Sequence, residues 1–206
     1  MKKIKELIIV YPSFERGGAT AILINFINMC AKKNIRINLI TNIKNKDKKK
    51  FIKKNIKFFT LNNKFKYKMF NRLVTSIKSI FLLLKLFKTI NKKNSIVISF
   101  QSHILPIIFS KLFGRKIIIR NSEDVVGATK YADYKLSAFF VFLLKIFFYN
   151  FSDGLITNSL KAKKSLEKII FKDKTKLIYN PYLKKIFLKK KNKRENLILS
   201  VGRLCK

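Results

Sequence analysis

Residues 5–33 read KELIIVYPSFERGGATAILINFINMCAKK, and this stretch sets the architecture. KELIIVY is an apolar run without polar alternation, which is how a strand buried on both faces reads. Pro12 ends it. The loop that follows holds Gly17 and Gly18, the only adjacent glycine pair in the chain. From there Ala19, Ile22, Leu23, Phe26, Ile27 and Cys30 recur at helical spacing. Strand, glycine loop and helix in that order form the opening unit of a parallel α/β sheet.

The alternation continues outward. Further strands are expected at 35–41, 56–61, 95–100, 116–120, 154–157 and 176–179. Helices are expected at 67–91, 104–113, 136–151 and 159–171, with a short one about 48–54. Gly114 is placed to cap the second of the long helices. Residues 121–133 read as a polar loop. The fold class expected is therefore α/β: a Rossmann-like parallel sheet with helices on both faces.

The end of the chain differs in kind. Residues 184–194 are KKIFLKKKNKR, a solvated basic linker, and NLILSV at 196–201 reads as one more strand. A strand with no following helix lacks cover, so the chain is expected to be a fragment ending just inside a second domain. The division expected is 1–181 for the sheet domain, 182–195 for the linker and 196–206 for the first strand of the next domain.

The 206 residues carry a formal net charge of +37, with 48% hydrophobic residues and 20 Phe. That much apolar surface excludes a disordered chain, and 6 Gly with 3 Pro excludes a collagen-like fibre. Two cysteines make no disulfide framework and fit a reducing compartment. Lysine supplies most of the positive charge and is spread along the whole chain. Two explanations stand side by side, a compositional bias of the genome and a surface that meets polyanions. In the second case an anionic membrane surface suits the pattern better than nucleic acid, because no basic run is interleaved with aromatics. The basic N-terminus leads into an apolar run that stops at Pro12 without a small-residue cleavage site, so no secretory signal is read. Residues 76–90 and 136–151 are strongly apolar but shorter than the ~20 residues a spanning helix needs. The favoured reading for both is a buried helix. The alternative is a Phe-rich face lying on anionic lipid.

In an open parallel sheet, ligands bind beyond the carboxyl ends of the strands. The residues expected at that rim are Ser13, Gly17 and Gly18 after the first strand, then Gln101, Ser102 and His103 after the fourth. Arg120, Asn121, Ser122, Glu123 and Asp124 follow the fifth, Asn158 and Ser159 the sixth, and Asn180 the seventh. Gly17-Gly18 before a helix lets backbone N–H groups face an anion, although such a pair is also simply a tight turn. His103, the only histidine, suits acid–base work or a hydrogen bond to a sugar hydroxyl; the plainer reading is a satisfied ring opening a helix. Without a second histidine no His-based metal site is available. Arg120 to Asp124 is the densest polar cluster in an acid-poor chain, suited to holding an anion or activating a hydroxyl, with a loop salt bridge as the alternative. Arg203 follows a strand and is placed to contact a diphosphate.

GGATAILINFINMCAKKN, SFQSHILPIIFSKLFGRKIIIRNSED, DGLITNSLKAKKSL, KLIYNP and LILSVGRLCK, in this order, resemble the N-terminal half of a family 4 glycosyltransferase. These are retaining enzymes of the GT-B fold, with two Rossmann-like domains across a cleft. The RNSED stretch is most similar to bacterial members that build cell-surface polysaccharides. The resemblance implies transfer of a sugar from a nucleotide-diphosphate donor to a hydroxyl with retention, without a divalent metal or other cofactor. It implies that Gly17, Gly18 and Arg203 lie at the donor diphosphate. Arg120, Asn121, Ser122 and Glu123 match the loop where members place acceptor-side polar residues, and the catalytic roles are assigned to His103 and Glu123 from their chemistry at the rim. Members often place a histidine in the loop after the fifth strand. This chain has none there, and His103 lies one strand earlier. The partner lysine of the GRL segment and the family's paired-Glu motif are not among the 206 residues. Alone, they are therefore expected to bind donor poorly and not to turn over. The partners implied are a nucleotide sugar and a glycan or lipid-linked acceptor, at the cytoplasmic face of a membrane. The alternative is a non-catalytic Rossmann-like binding module.

Overall fold

The computed structural model describes residues 4–14, 17–52, 55–61 and 68–180. Strands β1 (Glu6–Tyr11), β2 (Arg36–Thr41), β3 (Ile56–Thr60), β4 (Ser95–Ser99), β5 (Ile117–Asn121), β6 (Gly154–Thr157) and β7 (Thr175–Leu177) alternate with helices. These are α1 (Gly18–Lys32), α2 (Asn45–Lys48), α3 (Lys68–Thr89), α4 (Ile104–Leu112), α5 (Val125–Lys130), α6 (Lys135–Tyr149) and α7 (Leu160–Glu167). The strands form one sheet in the order β3-β2-β1-β4-β5-β6-β7, and every pairing is parallel.

Strand β1 is central and explains the layering. Its side chains alternate between two cores. Ile8 and Val10 join one with Val97, Ile117 and Ile119, covered by Leu83 and Leu86 of α3, Ile107 of α4 and Leu166 of α7. Leu7, Ile9 and Tyr11 join the other with Ile37 and Leu39, covered by Leu23, Ile27 and Cys30 of α1. Right-handed crossovers dictate this division. The chain moves outward from β1 to β3 with α1 on one face. It then returns through α3 to build β4–β7 with its helices on the other. The direction of strand order reverses between β1 and β4, which opens a crevice at their carboxyl ends.

Local signals end the elements where the sequence places them. Gly114, at φ 60°, takes the left-handed position after α4, and its N–H donates to Lys111 O at 3.0 Å. Asn34, at φ 58°, does the same after α1. Asn91 caps the short 3-10 turn Lys92–Asn94 by accepting from Lys93 N, and Ser159 caps α7 by accepting from Ala162 N.

Three expectations need correction. The polar loop at 121–133 contains helix α5, started by Asp124, whose side chain accepts from Gly127 N at 2.9 Å. The short helix about 48–54 lies earlier, as α2 at Asn45–Lys48. The largest departure is α6, expected to be buried. Only Tyr149 of its fifteen residues is buried, whereas Leu136, Phe139, Phe140, Leu143, Leu144 and Phe147 face outward. The helix is apolar all round, so its composition held no cue to which side the sheet would leave uncovered. The basic linker and the expected strand at 196–201 lie outside the described residues.

Candidate functional site

The parallel sheet brings the ends of β1, β4, β5, β6 and β7 to one edge, so the predicted rim exists as a physical surface. Gly17 precedes α1 in extended conformation, and among the described residues no side chain caps the helix. The helix's first N–H groups therefore present a partial positive charge at the crevice. A Cβ built on Gly18 would meet no atom of the described residues within 4 Å. Inside, Tyr11 OH and Thr20 Oγ1 are 2.8 Å apart and fasten the end of β1 to α1.

Across the crevice, the β4 loop is tied to the β1 loop. Ser13 donates to Gln101 Oε1 through its N–H at 3.2 Å and its hydroxyl at 2.6 Å. Ser102 occupies the left-handed region at φ 54°, a costly conformation for serine that turns the chain toward α4. His103 then opens α4. Its Nδ1 lies 2.9 Å from Ser99 Oγ, and its ring meets the edge of Tyr149 at 5.8 Å. The Ser99 hydroxyl also donates to Gln101 O at 3.0 Å. With its single proton used there, Ser99 accepts from Nδ1–H, which leaves the Nε2 lone pair as an acceptor. Burial first, and then the charges of Lys145 and Arg120, push the imidazole down to about 3. His103 is thus neutral at physiological pH. Burial and the Glu123 carboxylate both raise the Tyr149 hydroxyl above its ordinary value, so it stays protonated.

The cluster after β5 divides. Arg120 and Asn121 alternate across the sheet. Arg120 is 8% exposed, lies over the Phe100 ring at 5.4 Å and donates to Asn180 Oδ1 at 2.8 Å. It lines a groove of about 320 Å³ with Phe26 of α1, Phe100, Ile156, Tyr179 and Asn180. Asn121 is buried on the other side and donates to Glu123 O at 2.7 Å, which shapes the turn. Ser122 is exposed at the tip. Glu123 is also exposed, and its Oε2 accepts from Lys145 Nζ of α6 at 2.6 Å. Asp124 goes to the α5 cap. Gly127 N–H first, and then Ser165 and Lys161, lower its carboxyl from the ordinary value. At the end of β6, Thr157 Oγ1 and Asn158 Oδ1 are buried without a hydrogen-bond partner among the described residues.

The rim therefore gathers Gly17, Gly18, His103 and Glu123, while Arg120 serves the groove on the α1 face. Arg203 lies outside the described residues. Sequence reasoning did not find Tyr149, which backs His103, or Lys145, which pairs with Glu123. Both come from one remote apolar helix, and no local pattern distinguishes them from its other residues. Among the described residues no three His, Cys, Asp or Glu side chains converge, and no helix is long and apolar enough to cross a membrane.

No protein-family model matches the chain, and no curated protein matches it. Solved structures do. HepE from Anabaena, in complex with UDP-glucose, superposes with a TM-score of 0.56 at 14% identity, covering 86% of this chain and 44% of that one. UGT73P12 from Glycyrrhiza uralensis, complexed with glycyrrhetinic acid 3-O-monoglucuronide, has a TM-score of 0.56 at 8% identity over 86% and 48%. UGT2 from Phytolacca americana, complexed with UDP-2fluoro-glucose and pterostilbene, has a TM-score of 0.56 at 12% identity over 86% and 54%. The chain spans about half the length of these proteins. At such identities the likeness is one of fold: a seven-stranded, all-parallel, Rossmann-like sheet.

Proposed function

We propose that the chain forms the acceptor-side half of a retaining GT-B glycosyltransferase of family 4. In this reading it moves a sugar from a nucleotide-diphosphate donor to a hydroxyl of a glycan or lipid-linked acceptor in bacterial surface-polysaccharide synthesis. One observation carries the reading: the start of α1, uncapped among the described residues, and the neutral His103 share the crevice where strand order reverses. Its fold is also that of proteins solved with UDP-glucose and with UDP-2fluoro-glucose.

The roles follow from the chemistry. The bond between the sugar's anomeric carbon and the diphosphate oxygen breaks, and a bond to the acceptor oxygen forms on the same face. The acceptor proton leaves with the diphosphate. Backbone N–H groups at Gly18 and the following residues stabilise the negative charge that grows on the diphosphate, a role assigned also to the Arg203 guanidinium. His103 uses its free Nε2 lone pair to accept a hydroxyl proton in a hydrogen bond, and its low basicity keeps it from becoming a charged competitor for the diphosphate. Glu123 orients the acceptor hydroxyl, with Lys145 holding its carboxylate in place. Ser122 meets the acceptor at the tip of the loop after β5, while Asn121 holds that turn from beneath and Arg120 lines the groove on the α1 face.

The test is nucleoside diphosphate release from a panel of nucleotide sugars, measured on these 206 residues and on the product of the full reading frame. Release by the latter, dependent on acceptor and lost in His103→Ala, is the expected result. No release by either, with no nucleotide-sugar binding, overturns the proposal. Saturable binding without release by either supports the non-catalytic module instead.

A further inference from the structure

We propose that the outer face of α6, with the adjoining end of α4, docks on an anionic lipid surface. Helix α6 reads KLSAFFVFLLKIFFY. Its inner side, Phe142, Ile146 and Tyr149, packs on the core. Its outer side shows Leu136 (72% exposed), Phe140 (58%), Leu144 and Phe147 (60%), spaced four, four and three residues apart along one stripe. Phe151 extends the stripe past the helix end, and Leu112 of α4 stands beside it across an apolar groove of about 330 Å³. Phe171, 83% exposed, is held next to the same end because its N–H donates to Asn150 Oδ1 at 2.9 Å. A continuous aromatic surface of this extent is not what a solvated monomer leaves in water.

Charge decides what covers it. Lys130 and Lys135 are exposed at the start of α6, and Lys168 and Lys172 flank Phe171. The acids nearby are few. Asp133 and Asp173 are exposed, Glu123 is paired with Lys145, Asp153 with Lys111, and the exposed Glu167 with Lys163. A second copy of a chain bearing +37 would set like charges against each other around a two-fold contact. An anionic bilayer instead gains from the same lysines while the phenylalanines enter its headgroup boundary. The contact is monotopic. Fifteen residues rise only about 22 Å, short of the ~30 Å hydrocarbon layer, and the inner side is committed to the sheet. This surface stands independently of the sugar-transfer reading.

Flotation of the purified chain with phosphatidylcholine vesicles, with and without phosphatidylglycerol, tests it alongside sedimentation velocity without lipid. The expected result is a monomer that floats with anionic vesicles, floats poorly with neutral ones and is released by salt. Phe140→Asp combined with Phe147→Asp should weaken partitioning at least about tenfold while leaving the circular dichroism melt unchanged, since both side chains are exposed. Lys130→Glu combined with Lys135→Glu should weaken it and flatten the salt dependence. Equal flotation of the Phe140→Asp/Phe147→Asp variant overturns the proposal. So does a wild-type dimer that this variant dissociates, with no vesicle binding by either.

Discussion

Ser13 and Gln101, 88 residues apart, are joined by two hydrogen bonds to a single amide oxygen. They lie on either side of the crevice between β1 and β4, where no strand connects the two loops directly. The bond to the Ser13 N–H holds the chain just after β1, and the Ser99 hydroxyl that meets His103 Nδ1 donates to the Gln101 carbonyl. The chain after β1 and the histidine therefore share one support.

Gln101→Ala removes that support. Ser13 loses the acceptor for both its donors, and the expected destabilisation is about 1–2 kcal/mol. Urea unfolding measures it. Amide hydrogen exchange should also quicken at Ser13, before any change in the strands. An unchanged midpoint and unchanged exchange would show that the tether contributes nothing.

His103 makes stability depend on pH in a defined direction. Its folded-state pKa, about 3, lies below the ordinary 6.5, so the unfolded chain takes up this proton first as pH falls. Stability from this group is complete above 6.5, declines through the interval and stops falling near 3. The slope it adds is up to about 1.4 kcal/mol per pH unit. His103→Gln should flatten the decline in urea midpoint across that interval. In the wild-type protein, the His103 ring proton signal should show no titration step near neutrality, and a step there would contradict the burial.

Arg115 is a structural clamp that no motif announced. It is 6% exposed and lies over the Phe87 ring at 4.5 Å. Its guanidinium donates to Phe87 O and Ile90 O at the end of α3 and to Ser95 Oγ at the start of β4. Those acceptors are carbonyls at a helix C-terminus, where a cation is favoured. Arg115→Ala should cost about 2–4 kcal/mol. Arg115→Lys should recover little of it, because an ammonium cannot reproduce the fork. Thermal and urea denaturation of both variants decide the matter.

Two glycines should respond oppositely to alanine. At Gly127 a Cβ would lie 2.5 Å from Asp124 Oδ2 and 2.9 Å from its Cγ, so the α5 cap must shift and the unfolding midpoint should fall. At Gly18 a Cβ would meet none of the described residues within 4 Å, and alanine favours a helix by up to about 1 kcal/mol, so stability should hold or rise slightly. Gly18→Ala should nevertheless weaken nucleotide-sugar binding by the full reading frame's product, because its methyl enters the space assigned to the diphosphate. Differential scanning fluorimetry with a donor titration separates the two effects.

Much of the architecture was legible because parallel strands buried on both faces leave a local record. KELIIVY, SIVISF and KIIIR are unmistakable runs, and Gly114 marks a helix end by its left-handed turn. Helix α5 was not legible. Its six residues, VVGATK, are short and contain a glycine, and what starts them is the Asp124 side chain bonding to Gly127 N. For the candidate site, the order of strands and loops placed Gly17, Gly18, His103 and Glu123 on one edge. Their partners Tyr149 and Lys145 arrive from α6, a separate element well beyond any local sequence window.

The amino-acid order alone determined that this chain would fold as a parallel α/β sheet with its polar loops on a common rim, because strand and helix periods are local and βαβ crossovers have one hand. Tertiary structure decided what each rim residue can do and which side of α6 meets water. A helix apolar on all sides carries no mark of its buried face, and the histidine's neutrality comes from burial and from charges on other elements. Those properties belong to neighbours gathered by folding, and no single segment contains them.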